Sequence, residues 1–287
     1  MSAFQQALSR VQRLASFSHG ASGGNPAGVY LDDVFPDVAT MQALAHAVGY
    51  SETVFAVRDA NGWRVRYFAP ESEVPFCGHA TIALGAVLAS KHGDGLFRLD
   101  TNTDRISVEG RQAGDLVEAA LQSPPTHSRK APGELTAQAL ELFGYAAGDL
   151  DPRLAPGLAH AGALHLILPL RDRASLTAMK YDLERGRRLM QDVGLATIAL
   201  ICAETEQRFH ARNPFASGGV YEDPATGAAA AALAGYLRDS GWPHGGHIDI
   251  LQGDDMGCPS RLRADFSATP GESVRVSGTV RLLAPVL

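Results

Sequence analysis

Most residues of this chain that could do chemistry sit in two short polar segments, Phe76-Cys77-Gly78-His79-Ala80-Thr81 and Glu222-Asp223-Pro224-Ala225-Thr226-Gly227. With Glu52 they supply a thiol, an imidazole and carboxylates, side chains that move protons near neutral pH. Each has a bland reading beside the chemical one. Glu52 is either a solvated carboxylate at an edge strand or a desolvated general base. Alternation of Thr53, Phe55 and Val57 with Glu52, Val54 and Ala56 puts it on an otherwise apolar face. His79 either caps a helix or uses the positive end of the helix dipole, which favours the neutral imidazole that proton transfer requires. Cys77 reads as a small buried hydrophobe before it reads as a catalytic thiol. Asp223 reads as an N-cap with Pro224 at the first helical position, and it joins a site if that helix start lines a cleft.

The elements that must hold these groups follow from what comes next in the sequence. Ile82 to Ala89 and Ala228 to Leu237 are apolar on every side, so each reads as a helix buried all round. Such a helix threads the middle of a domain. Its polar N-terminus then presents unpaired N–H groups and the positive dipole end, which favour a carboxylate or phosphate. Two buried helices with loaded starts imply two similar domains and a ligand cleft at their junction.

In chain order, residues 1 to 10 read as a polar leader or frayed turn, Val11 to Phe17 as a strand, and Gly23-Gly24-Asn25-Pro26 as a turn. Ala27 to Leu31 returns as a strand, and Asp37 to Gly49 is an amphipathic helix. Strands follow at Ser51 to Arg58 and Trp63 to Phe68, then the first buried helix, then strands near Leu96 to Asp100, Arg105 to Glu109 and Leu116 to Leu121. Ser123-Pro124-Pro125 marks the domain boundary, giving domains 1–123 (joined by a final strand within 278–287) and 124–277. The pattern then restarts: helix Thr136 to Phe143, strand Leu164 to Leu170, helix Asp182 to Asp192, strands Ala196 to Cys202 and Gln207 to Arg212, the second buried helix, and strands near His247 to Gln252, Ser260 to Asp265 and Ser273 to Leu283. That shared order is an internal repeat of elements.

Composition narrows the function. A net charge of −6 without a basic stripe argues against nucleic acid and leaves a small anionic substrate held by local N–H groups. Three cysteines without paired spacing argue against a disulfide framework and fit a reducing cytoplasm. There is no signal core and no membrane-length apolar run. His244-Gly245-Gly246-His247 lacks further ligands at zinc spacing and reads as a polar turn. No phosphate loop, hydrolase elbow or dinucleotide fingerprint is present, so neither a metal nor a cofactor is expected. A homodimer is the expected assembly.

Several segments taken together resemble the PhzF family of phenazine-biosynthesis-like proteins. They are Gly24-Asn25-Pro26-Ala27-Gly28-Val29, Ser51-Glu52-Thr53-Val54-Phe55, Arg66-Tyr67-Phe68-Ala69-Pro70 with Glu73, Cys77-Gly78-His79-Ala80-Thr81, Glu222 to Gly227, and Gln252-Gly253 with Met256-Gly257. The resemblance spans nearly the whole chain. It implies the α+β diaminopimelate-epimerase-like fold, two similar domains each wrapping a mixed sheet around a central helix. It also implies cofactor-free carbon-acid chemistry, with the family's catalytic residues falling on Glu52, His79 and Asp223. In the phenazine enzyme these residues move a proton on a dihydro-hydroxyanthranilate ring. This chain has Ala228 where that enzyme has a serine, Cys258 where many members carry an arginine and Leu251 where many carry a glutamate.

The expectation is therefore an isomerase in which Glu52 shuttles a proton, His79 assists and Asp223 orients or serves as second acid. Asn25, Cys77, Gly78, Thr226, Gly227 and Ala228 are the expected substrate contacts, with the N–H groups of Gly78, His79, Gly227 and Ala228 on a substrate carboxylate. The rivals are a two-base racemase or epimerase using Cys77, and a ligand-binding or partner-binding protein that keeps the fold.

Overall fold

The structure, a computed structural model, describes residues 2–284. The chain divides into two compact units, whose described parts are 2–122 with 277–284, and 123–276.

The first unit opens with helix α1 (Ala3–Arg10), where a leader or frayed turn was expected. A capping box explains the difference: Gln5 N–H donates to Ser2 Oγ at 3.2 Å, and Ser2 N–H donates to Gln5 Oε1 at 3.0 Å. Met1 of the expected leader lies outside the described residues. Strands β1 (Gln12–Ser16) and β2 (Asn25–Asp32) follow, then α2 (Val38–Val48), β3 (Thr53–Asp59), β4 (Gly62–Phe68), the short β5 (Glu73–Val74), and the long helix α3 (Gly78–His92). The expected turn is narrower than its four residues, because Asn25 and Pro26 already belong to β2 and Gly23 and Gly24 alone take positive φ. Strands β6 (Gly95–Asp100), β7 (Arg105–Ala113) and β8 (Leu116–Gln122) complete the unit, together with the last strand of the chain, β18 (Arg275–Leu282). Neighbours run β1-β2-β3-β4-β6-β7-β8-β18, and β18 pairs back onto β1 with Leu282 opposite Leu14, which closes the ring. Of the stretch expected to close this domain, 285–287 lie outside the described residues.

Helix α3 runs inside this ring, and every residue from His79 to Ala89 is buried. The fit depends on two glycines. A Cβ on Gly110 of β7 would collide with the Gly85 carbonyl of α3 and come within 2.8 Å of Ala89 Cβ. On the outside, α2 sets Met41, Leu44, Ala45 and Val48 against Tyr30, Phe55 and Phe68.

The second unit contains β9 (His127–Lys130), α4 (Gly133–Phe143), β10 (Gly157–His160), β11 (Leu164–Pro169), α5 (Arg173–Thr177) and α6 (Leu183–Val193). It continues with β12 (Thr197–Ala203), β13 (Arg208–Arg212), the small hairpin β14 (Pro214–Phe215) and β15 (Val220–Glu222), α7 (Gly227–Asp239), β16 (His247–Gln252) and β17 (Ser260–Asp265). Its sheet order is β17-β16-β13-β12-β11-β10-β9. Helix α7 is buried from Ala229 to Arg238 and packs on β9, β10 and β17. Gly235 of α7 leaves the room that Thr126 fills, and Gly157 of β10 does the same for the Tyr236 ring.

The expected repeat has a concrete form in the sheet. In the first unit β2 pairs parallel with β3 across α2, and β4 pairs parallel with β6 across α3. In the second, β11 pairs parallel with β12 across α5 and α6, and β13 pairs parallel with β16 across α7. A parallel pair needs a crossover, and the buried helix is that crossover in both units. Apart from α1, the elements that sequence patterning missed, β5, β9, β10, β14, β15 and α5, run for five residues or fewer. At that length periodicity carries no signal.

Gly110→Ala should therefore push β7 off α3 and lower the urea midpoint by an amount equivalent to about 1–3 kcal/mol, the range for overpacking a core. Gly133→Ala, at a position with nothing within 4 Å of the added carbon, should leave the midpoint nearly unchanged. Equal effects of the two changes would contradict the packing described.

Candidate active site

Glu52 is the residue before β3, and its carbonyl accepts from Gly28 N–H of β2 at 3.2 Å, so its backbone is pinned to the strand pair. His79 is the second residue of α3, after Gly78. Its carbonyl accepts from the buried Ser16 hydroxyl at 2.7 Å, which ties the helix start to β1. Asn25, also buried, stands opposite Ser16 in the β1–β2 pair. Cys77 is the N-cap of α3, and its side chain makes no capping bond. Its carbonyl instead accepts from the Thr81 hydroxyl at 2.7 Å. That commits the Thr81 proton, so Tyr67 OH, 2.7 Å away, must be the donor to Thr81 Oγ1. Burial pushes the Tyr67 phenol far above its ordinary value, keeping it a donor.

These anchors bring three side chains together. His79 Nε2 lies 3.4 Å from Glu52 Oε2 and 3.4 Å from Ser51 Oγ, and Cys77 Sγ lies 3.3 Å from His79 Nδ1. Glu52 Oε2 is buried and has no hydrogen-bond partner, because its contact with His79 has ion-pair distance without hydrogen-bond geometry. A buried carboxylate oxygen left unbonded is costly in a folded protein. Of the two readings of Glu52, the solvated edge-strand carboxylate is excluded, since only 16% of its side chain is exposed.

The second polar segment is built differently from the expectation. Helix α7 begins at Gly227 with Thr226 as N-cap, so Asp223 is not the cap and Pro224 is not the first helical residue. The reason is a hydroxyl relay. Thr226 Oγ1 donates to Asp223 Oδ2 at 2.5 Å and accepts from Asn213 Nδ2 at 2.5 Å and Gln252 Nε2 at 3.2 Å. Its one proton and both lone pairs are then used, and none remains to cap the helix. Asp223 is fixed from both sides, its N–H donating to Asn213 O at 3.1 Å and its carbonyl accepting from Gln252 Nε2 at 2.7 Å. Gln252 Oε1 in turn accepts from Thr226 N–H at 3.3 Å. Gly253, at φ +78°, lets the chain pass Pro224, whose carbonyl would sit 2.8 Å from any Cβ there. Gly227 and Ala228 open α7, and as in α3 the N-cap side chain leaves the first turn uncapped. By contrast Asp37, Asp172 and Asp182 do cap α2, α5 and α6.

The structure thus gathers Glu52, Cys77 and His79, with Gly78 and Asn25 close along the same elements, in the first unit. It gathers Asp223 and Thr226, followed directly by Gly227 and Ala228, in the second. Residue-by-residue reading missed Ser16, Ser51 and Asn213, because a serine or asparagine bonding across strands leaves no mark in spacing. It also missed the buried Arg212–Glu222 pair, joined by Nε to Oε1 at 2.9 Å and Nη2 to Oε2 at 2.5 Å. Arg212 further donates to Thr177 O at 2.9 Å and Met179 O at 3.3 Å. This pair staples together the segments that carry Asn213 and Asp223. The signal lay in two charged residues of opposite sign, Arg212 closing β13 and Glu222 closing β15.

Comparison with known proteins decides the family. The model described as phenazine biosynthesis-like protein (PhzC-PhzF) matches residues 14–284. The chain belongs to this family. An uncharacterized isomerase of Deinococcus radiodurans is 34% identical to this member over 283 residues, covering 94% of this chain and 92% of the relative. The trans-2,3-dihydro-3-hydroxyanthranilate isomerase of Pseudomonas chlororaphis is 30% identical over 270 residues, covering 92% and 93%. Among solved structures, a predicted epimerase from Pseudomonas aeruginosa aligns with a TM-score of 0.82 at 26% identity, covering 96% of this chain and 97% of the other. This PhzF-family protein is an isomerase with the diaminopimelate-epimerase-like α+β fold.

Arg212→Met should strand Glu222 as a buried, unpaired carboxylate and cost about 3–5 kcal/mol of unfolding free energy. The double change Arg212→Met with Glu222→Met should recover much of that loss in chemical denaturation. A single mutant as stable as wild type would show that the pair staples nothing.

Proposed function

We propose that this protein is a cofactor-independent isomerase that moves a proton at carbon of a small, carboxylate-bearing substrate. The observation that carries the reading is the buried, unbonded Glu52 Oε2 beside His79 Nε2. A carboxylate in that position is a proton acceptor with nothing else to bond, and the adjacent imidazole can take or return charge as the proton moves. Glu52 is the shuttle, His79 its partner and Asp223 the second acid or orienting group of the same reaction. The relay through Thr226 supports Asp223 in that role, since it sets the orientation of its carboxylate. The uncapped first turns of α3 and α7 support binding of the substrate carboxylate by the N–H groups of Gly78, His79, Gly227 and Ala228. Asn25, Cys77 and Thr226 complete the substrate contacts.

The relative that acts on trans-2,3-dihydro-3-hydroxyanthranilate supplies the reaction type for this proposal. Ala228, where the resemblance implies a serine, removes one hydroxyl donor and weighs against that same substrate. We further propose a cytoplasmic homodimer. No disulfide joins Cys77, Cys202 or Cys258, which fits a reducing compartment.

A second reading has its own observation. Cys77 Sγ lies 3.3 Å from His79 Nδ1, the arrangement that favours a thiolate, and a two-base epimerase would use it. The two readings part on one pair of variants, assayed by solvent deuterium incorporation into a panel of unsaturated and amino carboxylic acids. Glu52→Gln should lower exchange by about 10²–10⁴-fold with ligand affinity largely kept, because the amide preserves shape but takes no proton. Cys77→Ala should cost far less. The reverse order supports the epimerase, and exchange undiminished in Glu52→Gln would end the shuttle proposal.

A further inference from the structure

Cys77, His79 and Glu52 offer a sulfur, a nitrogen and a carboxylate oxygen that all lie within 4.8 Å of one another, in a pocket where two of the three residues are buried and Glu52 nearly so. We propose that this cluster is an inhibitory site for a thiophilic divalent cation, of which Zn²⁺ is the type, and that the ion silences the protein by occupying the proton shuttle itself. The inference rests on the shuttle reading for its effect on activity, but not for the binding.

The donor set is that of zinc: one soft thiolate, one imidazole and one carboxylate, with the fourth position left to water. Zinc bonds of about 2.0–2.3 Å in tetrahedral geometry put neighbouring donor atoms about 3.3–3.6 Å apart. Here Nε2 to Oε2 is 3.4 Å and Sγ to Nδ1 is 3.3 Å, while Sγ to Nε2 is 4.0 Å. With Nε2 as the ligating nitrogen, the 4.0 Å separation from Sγ is the one that must close toward about 3.6 Å. The unbonded Glu52 Oε2 loses no hydrogen bond when it coordinates. Binding expels the Cys77 thiol proton to solvent and leaves no electron transferred, since Zn²⁺ is redox-inert. The same ion cannot be bypassed by the reaction, because it holds the oxygen that the substrate proton needs. None of the other histidines and cysteines among the described residues forms such a group with a third ligand.

The test is direct and needs no substrate. Titration of the metal-free full chain with Co²⁺ should develop a thiolate charge-transfer band at one ion per chain, and Zn²⁺ should displace it. Cys77→Ser should abolish the band, and Glu52→Gln should weaken affinity at least tenfold. Cys258→Ser, outside the cluster, should keep both. As a check that needs no folded variant, Zn²⁺ on wild type should protect Cys77, but not Cys258, from iodoacetamide in peptide mass spectrometry. A band that survives Cys77→Ser, no band in wild type, or no protection of Cys77 overturns the proposal. Binding without loss of deuterium exchange would retain the site and remove the shuttle reading instead.

Discussion

A helix with no polar face can exist in water only where something covers all of it, and the structure of this protein is the answer to that constraint twice over. In the first unit the closed ring of strands covers α3 from His79 to Ala89, and the paired glycines Gly85 and Gly110 let β7 approach to backbone contact. In the second, α7 is covered through the room made at Gly235 and Gly157. Because the helix bodies are wholly apolar, their starts are where polar chemistry collects: the chain must turn there, and the first N–H groups have no partners within the helix.

What each start does with that opportunity differs. At α3 the anchoring runs through the backbone: Ser16 bonds the His79 carbonyl and Thr81 bonds the Cys77 carbonyl, which places the imidazole and the thiol beside each other. At α7 the anchoring runs through the functional side chain itself, since Thr226 spends its hydroxyl on Asp223. The first arrangement leaves a carboxylate oxygen of Glu52 without a hydrogen bond, while the second saturates the relay around Asp223. That asymmetry is what supports our proposal that Glu52 moves the proton while Asp223 orients or assists.

The buried helices were legible because an uninterrupted apolar run has one physical solution. Glu52 stood out because alternation put a carboxylate on an apolar face, although the strand itself begins one residue later, at Thr53. The Asp223 cap was misread because Asp-Pro at a helix start fits capping statistics, whereas Asp223 and Thr226 are held by Asn213 and Gln252, which are distant in sequence. The N-terminal helix was missed although Phe4, Ala7, Leu8 and Val11 recur at helical spacing and Ala7 and Leu8 pack on the cluster around Met41; the polar residues between them hid a short stripe that a capping box starts. Family resemblance brought Asp223 and Thr226 into the candidate site, and the structure joins the two by a hydrogen bond that spacing alone does not reveal.

The central claim is that one carboxylate both removes the substrate proton and gives it back. The most direct measurement is the fate of the label in a substrate deuterated at the reacting carbon and converted in ordinary water under single-turnover conditions. A single shuttle at Glu52, sheltered from solvent, predicts product that retains a measurable fraction of the original deuterium at its new position. Product carrying only solvent hydrogen from the first turnover, with deuterium retained in unreacted substrate, would contradict it and point to two separate bases.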